Sequence, residues 1–192
     1  MSILLIINSL YLILNFVFIF TWLKMTNNRI QYGSLKNTKL SVIIPVRNEE
    51  DNIQNLLEDI NKQVYPFKNF EVIIANDGST DKTETIVLAF QEVAHFDLKL
   101  LNILNENGLS PKKNAIQKSI EISSGELIIS TDGDCSVTAN WLASIEEIYK
   151  QRNAKLISSP VTFLNEKSFW NTFQIIEFAS LIGSGACAMH LK

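Results

Sequence analysis

The stretch LSVIIPVRNEE, Leu40 to Glu50, decides the fold because its character changes in the middle. It begins as a nearly continuous apolar run, which is typical of a short strand buried on both faces of a sheet. It turns polar at Arg47, Asn48 and Glu49, where the strand would end. Open α/β sheets bind ligands at the carboxyl ends of their strands, so this exit is a candidate binding loop.

Further apolar runs recur along the chain, and segments of helical periodicity lie between them. The runs are Phe70–Ala75, Leu98–Ile103, Glu126–Ser130 and Ala154–Val161. The helical segments are Glu50–Gln63, Asp81–Ala94, Pro111–Ser123 and Asn140–Gln151. This alternation predicts an α/β fold, with a mostly parallel sheet and helices on both of its faces.

Two helical segments carry patterns of their own. In Asp81–Ala94, helical spacing places Ile86, Phe90 and Val93 on one face, which we expect to pack against the sheet. A last segment, Lys167–Ile182, is rich in aromatic side chains and is predicted to end at the sequence GSGA.

The N-terminal stretch Ile3–Leu23 contains no charged residue. A helix of this length spans about 30 Å, the thickness of a hydrocarbon core, so we expect one N-terminal transmembrane helix. The alternatives are a buried core helix and a signal peptide, although a signal peptide has a shorter apolar core and a basic start. Lys24 and further basic residues follow the stretch and none precedes it. This asymmetry predicts a protein of the cell (inner) membrane whose later residues lie in the cytoplasm.

Composition and charge exclude several classes of function. The chain of 192 residues has a net charge of −3 and no basic stripe, so no nucleic-acid partner is predicted. Its two cysteines, Cys135 and Cys187, are too few for a disulfide framework and do not form a zinc pattern with the two histidines.

Polar and acidic residues collect after three predicted strands, in the sequences PVRNEE, NDGSTD and TDGD. An ordinary structural interpretation exists for the first two. Asp77 and Gly78 would make a turn, a residue of 79–81 would cap the next helix, and Asn48 would cap the helix after the first strand. The functional interpretation is that these side chains surround one ligand at the carboxyl edge of the sheet.

The pair Asp132 and Asp134 raises a question of charge, because carboxylates this close repel each other. Side chains at positions i and i+2 of a strand point the same way, so both could face one ligand, with Gly133 leaving room for close approach. Mg²⁺ is typically held by one or two carboxylates together with substrate phosphates and waters. A solvated turn with two surface acids is the alternative.

Two lysines, Lys112 and Lys113, open a predicted helix, where positive charge opposes the helix dipole. They are either solvated surface residues or partners of an anion such as a diphosphate.

Taken in order, SVIIPVRNEE, EVIIANDGSTDKT, SPKKNAI and GELIISTDGD resemble the family 2 glycosyltransferases, which have the GT-A fold. The resemblance extends over about Leu40 to Val161. It implies transfer of a sugar from a nucleotide-sugar donor, usually with inversion, to an acceptor that we expect to be a glycan or a lipid-linked glycan. It also implies a divalent metal, Mg²⁺ or Mn²⁺.

The resemblance also implies roles for single residues in donor binding. Pro45, Arg47 and Glu49 match the first nucleotide-contacting loop. Asp77 matches the carboxylate that reads the base.

Further matches concern the diphosphate and the metal. Lys112 matches the lysine of a motif that commonly reads Gly-Lys, although Pro111 replaces the glycine here. Asp132 matches the aspartate near the ribose, and Asp134 matches the aspartate on the metal, so that the two form the D-x-D pair.

A general base for the acceptor hydroxyl is also implied, because the family carries a catalytic carboxylate after a second half-domain. We expect it beyond Lys192, since Glu166 and Glu177 lie in or beside the aromatic helix rather than after a strand. A non-catalytic module or fragment that only binds the donor is the alternative to a complete enzyme.

Four segments are therefore predicted. They are a transmembrane anchor at residues 1–24, a linker at 25–39, a nucleotide-sugar-binding domain at 40–163, and an aromatic helix that begins an incomplete acceptor half at 164–192.

Overall fold

A computed structural model of the chain describes residues 2–26, 37–103, 111–163 and 168–191. Residues 27–36 of the predicted linker, together with Glu166 and Lys192, lie outside these ranges. The chain divides into two compact units. One is Tyr32–Ala154, and the other combines Met1–Gln31 with Lys155–Lys192.

Helices and strands alternate along the larger unit, as predicted. In chain order, the smaller unit contributes helix α1 (Ser2–Thr26), and the larger unit contains β1 (Leu40–Val46), α2 (Ile53–Asn61), β2 (Phe70–Asn76), α3 (Thr83–Gln91), β3 (Asp97–Asn102), α4 (Pro111–Ile122), β4 (Leu127–Ser130) and α5 (Trp141–Arg152). A 3₁₀ turn, Phe67–Asn69, precedes β2. The four strands are parallel and lie in the order β3-β2-β1-β4. The predicted α/β fold with a parallel sheet is confirmed.

The core of this unit lies around β1 and β2, the two central strands. Val42, Ile43 and Ile44 of β1 are fully buried, and the matching residues 72–74 of β2 are buried to the same extent. Successive side chains of a strand point to opposite faces, so both faces of the sheet centre are covered. Helix α4 packs on β1 and β2, where Ala115 joins Ala75 in the core.

A buried polar network lies at the amino ends of the strands. The Glu71 carboxylate accepts hydrogen bonds from Ser41 Oγ at 2.6 Å, from the Ser124 backbone N–H at 2.6 Å and from Lys99 Nζ at 2.5 Å. Burial opposes the ionisation of Glu71, but the hydrogen bonds from Lys99, Ser41 and Ser124 outweigh it and lower its pKa to about 2. This network joins β1, β2 and β3 to the turn before β4.

The approach to β1 is held by a second buried carboxylate, Glu146 of α5. Its Oε1 accepts the backbone N–H groups of Asn37 and Thr38 at 3.1 and 2.9 Å, and it pairs with Lys150 at 2.7 Å. Burial opposes the ionisation of Glu146, but these partners outweigh it and lower its pKa.

Two predictions about elements were wrong. Residues 154–161 are all described, and none of them belongs to a strand. Leu156 is 88% exposed and Val161 is 55% exposed, so the apolar side chains of this run are not buried as those of a sheet strand would be, and Pro160 is of a type that is depleted in strands. On α3, Thr83 and Val87 are the buried residues, whereas Val93 is exposed because the helix ends at Gln91.

The smaller unit contains α1 and the last helix, α6 (Phe169–His190), which contact each other. The predicted end of the last helix at GSGA was wrong, because α6 continues through these residues. Glycine weakens a helix by about 1 kcal/mol but does not end it without a further signal. Gly183 faces the Trp22 ring, and a Cβ there would lie 3.7 Å from it, in ordinary van der Waals contact.

Two helices are long and apolar enough to cross a membrane, Ile3–Lys24 and Phe169–His190. Within α1, polar side chains bond to the preceding turn: Asn15 Nδ2 donates to the Tyr11 carbonyl at 2.8 Å and Thr21 Oγ1 to the Val17 carbonyl at 2.7 Å.

Candidate functional site

Three strand exits meet at the carboxyl edge of the sheet. Val46 at the end of β1 is the register partner of Asn76 at the end of β2, and the Asp77 N–H donates to the Val46 carbonyl at 3.0 Å. The turn after β4 lies against the same exit, because a Cβ added to Gly133 would be 3.0 Å from Val46 Cγ1. The three polar motifs of the sequence are therefore neighbours in the fold.

Arg47 and Asp77 form an ion pair between the first two exits. Arg47 Nη1 lies 3.6 Å from Asp77 Oδ2, and the side chain of Asp77 is 7% exposed while that of Arg47 is 61% exposed. The carboxylate is thus fixed inside the edge of the sheet, and the guanidinium extends towards solvent. Gly78, with a φ of +67°, makes the turn that follows.

The start of α4 supplies a cation to the acidic turn. Lys112 Nζ lies 2.8 Å from Asp132 Oδ1, and both side chains are more than half exposed. Exposed ion pairs contribute only about 0–1 kcal/mol, so Lys112 can exchange this partner for a more highly charged anion.

The Asp132–Asp134 segment is a turn rather than the end of a strand. β4 ends at Ser130, and the Cys135 N–H donates to the Asp132 carbonyl at 3.3 Å. The alternation of side-chain direction along a strand therefore does not apply to Asp132 and Asp134. Both carboxylates are nevertheless exposed. Gly133 between them is buried, and the close approach that it permits is made by Val46 and Glu49.

Pro45 and Glu49 complete the first exit. Pro45 lies within β1, one residue before its end. The ladder from β1 to β4 ends at Ile43, whose carbonyl accepts the Thr131 N–H, so the missing N–H of Pro45 leaves no gap in it. Glu49 Oε2 accepts the Asn52 side-chain amide at 2.9 Å.

Asn48 does not cap α2, so that prediction was wrong. The helix begins at Ile53, four residues after Glu49, and has Asn52 at its N-cap. Asn48 instead has a φ of +56°, and its Oδ1 accepts the Thr80 N–H at 2.8 Å. The Asn48 N–H donates to Ser79 Oγ at 3.0 Å.

More hydrogen bonds join the same two loops. The Glu49 N–H donates to Thr83 Oγ1 at 2.8 Å, the Glu50 N–H to Asp81 Oδ2 at 3.0 Å, and the Lys82 N–H to Glu50 Oε2 at 2.9 Å. We call these bonds, with those of Asn48, the loop tie. Asp81 also accepts the Thr83 N–H at 3.0 Å, at the start of α3. These hydrogen bonds outweigh the effect of desolvation and lower the pKa of Asp81.

Among the described residues, no three His, Cys, Asp or Glu side chains group closely enough to hold a metal ion. Mg²⁺ needs only one or two protein carboxylates when phosphate oxygens and waters complete its coordination. The two exposed carboxylates of the Asp132–Asp134 turn fit that manner of binding.

The sequence matches glycosyl transferase family 2 over residues 41–183, which include all three strand exits. The chain belongs to this family. The resemblance predicted from the motifs is thereby confirmed.

Curated relatives are similar to the chain over more than 100 residues, not only at the motifs. Glycosyltransferase AglE of Haloferax volcanii is 39% identical over 103 residues, which are 54% of this chain and 33% of the relative. A poly-beta-1,6-N-acetyl-D-glucosamine synthase of Staphylococcus epidermidis is 29% identical over 145 residues, 75% of this chain and 34% of the relative. The chain spans about a third of the length of these proteins.

Solved structures confirm the GT-A fold. S. aureus TarS 1-349 superposes with a TM-score of 0.53 at 26% identity, covering 67% of this chain and 40% of the TarS 1-349 chain, which has also been solved with UDP and with UDP-GlcNAc. A mannosyltransferase from Pyrobaculum calidifontis, in complex with GDP-Man and Mn²⁺, has a TM-score of 0.57 at 22% identity and covers 73% of this chain and 42% of its own.

Proposed function

We propose that the carboxyl edge of the sheet binds a nucleoside-diphosphate sugar, and that the chain takes part in transfer of the sugar to an acceptor hydroxyl, with inversion. The observation that carries this proposal is the meeting of three strand exits, with Asp77 buried and two carboxylates exposed on the turn beside it. For the acceptor, we keep the prediction made from the sequence, a glycan or a lipid-linked glycan.

The first two exits would hold the nucleoside. Asp77 is an acceptor-only group at the inner end of the site, so it suits the N–H groups of a base. Arg47 is exposed beside it and can lie against the base or pair with a phosphate. Pro45 and Glu49 shape the wall between these residues and the acidic turn.

Lys112, Asp132 and Asp134 would bind the rest of the donor, from the ribose to the diphosphate and its metal. Lys112 would leave Asp132 for a phosphate oxygen, and Asp132 would then accept from the ribose. Asp134, with Asp132 beside it, would hold a divalent metal, Mg²⁺ or Mn²⁺. Such an ion neutralises the charge that develops on the departing diphosphate.

Titration of the full chain with UDP-sugars and GDP-sugars, with Mn²⁺ and with EDTA, tests the proposed function. We expect one nucleotide class to bind, and to bind more tightly with Mn²⁺. A chain that binds neither class under either condition would contradict the proposal.

We also infer that α1 anchors the protein in the cell (inner) membrane, with residues from Leu40 onward in the cytoplasm. The length of α1 and the positive charge that follows it support this arrangement. The four segments predicted from the sequence, at 1–24, 25–39, 40–163 and 164–192, form part of the same proposal.

A further inference from the structure

We propose that Asn48 is a positioning residue for donor binding, which acts by holding the first two strand exits together. The inference rests on the proposed function, because it assigns Asn48 a role in forming the site that Arg47 and Asp77 would offer to a nucleotide. Asn48 would set the affinity for the nucleotide without contacting the reacting atoms.

The backbone of Asn48 is the first observation. Its φ of +56° lies in the left-handed region, which asparagine enters more readily than most residues but which still has to be stabilised. In the part of the chain that the structure describes, the other non-glycine residue with positive φ is Asn153, at +46°. Asn153 ends α5, where a left-handed residue is ordinary.

The contacts of Asn48 supply that stabilisation. Its side-chain oxygen accepts a hydrogen bond from the Thr80 N–H, and its own N–H donates to Ser79 Oγ. Asn48 is therefore bonded to the loop after β2 both as an acceptor and as a donor. Ser79 is fixed from its other side as well, since its N–H donates to Asn76 Oδ1 at 3.0 Å. The turn at Asp77 and Gly78 is therefore enclosed between bonded residues.

The neighbours of Asn48 explain why its position matters. Arg47, one residue earlier, makes the ion pair with Asp77. Glu49, one residue later, lies against Gly133, since a Cβ added to that glycine would be 3.1 Å from Glu49 Cγ. The backbone conformation of Asn48 thus sets the direction of Arg47 towards the exit of β2 and of Glu49 towards the turn after β4.

Loops that are already ordered lose less conformational entropy when a ligand binds. Without Asn48, the loops would be ordered by the nucleotide itself, and part of the binding free energy would be used in doing so. The loss should appear in the dissociation constant of the nucleotide more than in the stability of the fold, because α2 and α3 keep their other contacts.

The test compares substitutions that separate the side chain from the backbone. Asn48→Gly keeps the left-handed backbone accessible and removes the acceptor, while Asn48→Asp keeps an oxygen in place. Ser79→Ala removes the other partner from the opposite loop. Asn153→Gly is the matched control, because it makes the same change at the other left-handed asparagine.

Two readouts are needed, one with nucleotide and one without. Calorimetry with UDP and GDP in Mn²⁺ gives the dissociation constant, and hydrogen exchange of the peptide over residues 77–83 reports the loop tie in the nucleotide-free chain. A neutral hydrogen bond is worth about 0.5–1.5 kcal/mol, so Asn48→Gly should weaken binding roughly 2- to 10-fold and speed exchange. Ser79→Ala should act in the same direction, and Asn48→Asp and Asn153→Gly should stay near wild type.

Unchanged binding and exchange in both Asn48→Gly and Ser79→Ala would overturn the inference. So would a loss of thermal stability in Asn48→Gly with no change in nucleotide affinity, since that would be a purely structural role. If the wild-type chain binds neither nucleotide, the proposed function fails and this inference fails with it. Hydrogen exchange of residues 77–83 distinguishes the two failures, because it reports in the nucleotide-free chain whether Asn48 holds the loop tie.

Discussion

At the scale of single residues, Lys112 offers a discriminating test because Lys113 stands beside it. Both lysines are exposed at the start of α4, but Lys112 is the one that reaches Asp132. Lys112→Met should weaken binding of a nucleoside diphosphate about tenfold or more, as expected for loss of a hydrogen bond to a charged group. It should leave binding of the nucleoside without phosphates unchanged. Calorimetry with UDP, GDP, uridine and guanosine measures both effects.

Lys113→Met is the control, and it should bind like wild type. Equal losses in the two variants would mean that general positive charge, rather than Lys112, attracts the diphosphate. An unchanged affinity in Lys112→Met would leave Lys112 as a surface partner of Asp132 only.

Residue types at the strand exits could be predicted from the sequence, but their contacts could not. Arg47, Asp77 and Asp132 were expected at one edge, because parallel strands end together. Asn48 was expected to cap the nearest helix, since local interactions are the ones that a pattern reveals. Its partners, Ser79 and Thr80, lie on a different loop, and only the register of β1 on β2 brings them close.

At the scale of elements, the Glu71 network predicts a dependence of stability on pH. Its folded pKa of about 2 lies below the ordinary value of 4.5 for a glutamate carboxyl. The carboxylate therefore stabilises the fold above pH 4.5, and this stabilisation is lost as the pH falls from about 4.5 towards 2. Glu71→Gln should lower the free energy of unfolding by roughly 2 kcal/mol at neutral pH, the size of a lost charged hydrogen bond. Denaturant titrations at pH 7 and pH 3 measure the change.

Asp97→Asn is the matched control, because this exposed acid also pairs with Lys99, at 3.3 Å. It should change stability by much less, as exposed pairs do. If Glu71→Gln loses as much stability between pH 7 and pH 3 as wild type does, another group causes the acid sensitivity.

Elements with strong burial were predicted well, and elements without it were not. β1 and β2 are apolar on both faces because the sheet centre is covered on both sides, and the sequence pattern follows from that. In the run at 154–161, Leu156 and Val161 are exposed, so composition alone suggested a strand that the fold does not form. The α3 prediction failed at Val93 because the helix ends at Gln91, before the predicted face is complete, and the buried residues of the helix are Thr83 and Val87.

At the scale of the whole molecule, the anchor proposal predicts which side of the membrane the site faces. In a chain with Cys135 and Cys187 changed to serine and Lys68 changed to cysteine, a membrane-impermeant maleimide should label the protein only after lysis. Lys68 is exposed beside the start of β2, so accessibility within the fold does not limit labelling. Labelling in intact cells would place the larger unit outside and contradict the proposed orientation.

The proposed function depends most on a divalent metal and a nucleoside diphosphate binding together at the Asp132–Asp134 turn. The most direct measurement is the electron paramagnetic resonance signal of unbound Mn²⁺, followed as the full chain is added with and without UDP or GDP. We predict that wild type and the Asp97→Asn control remove about one Mn²⁺ per chain when the nucleotide is present, and far less without it. Asp134→Asn should remove much less under either condition. Equal Mn²⁺ uptake by Asp134→Asn and wild type, in the presence of the bound nucleotide, would contradict a metal site at Asp134.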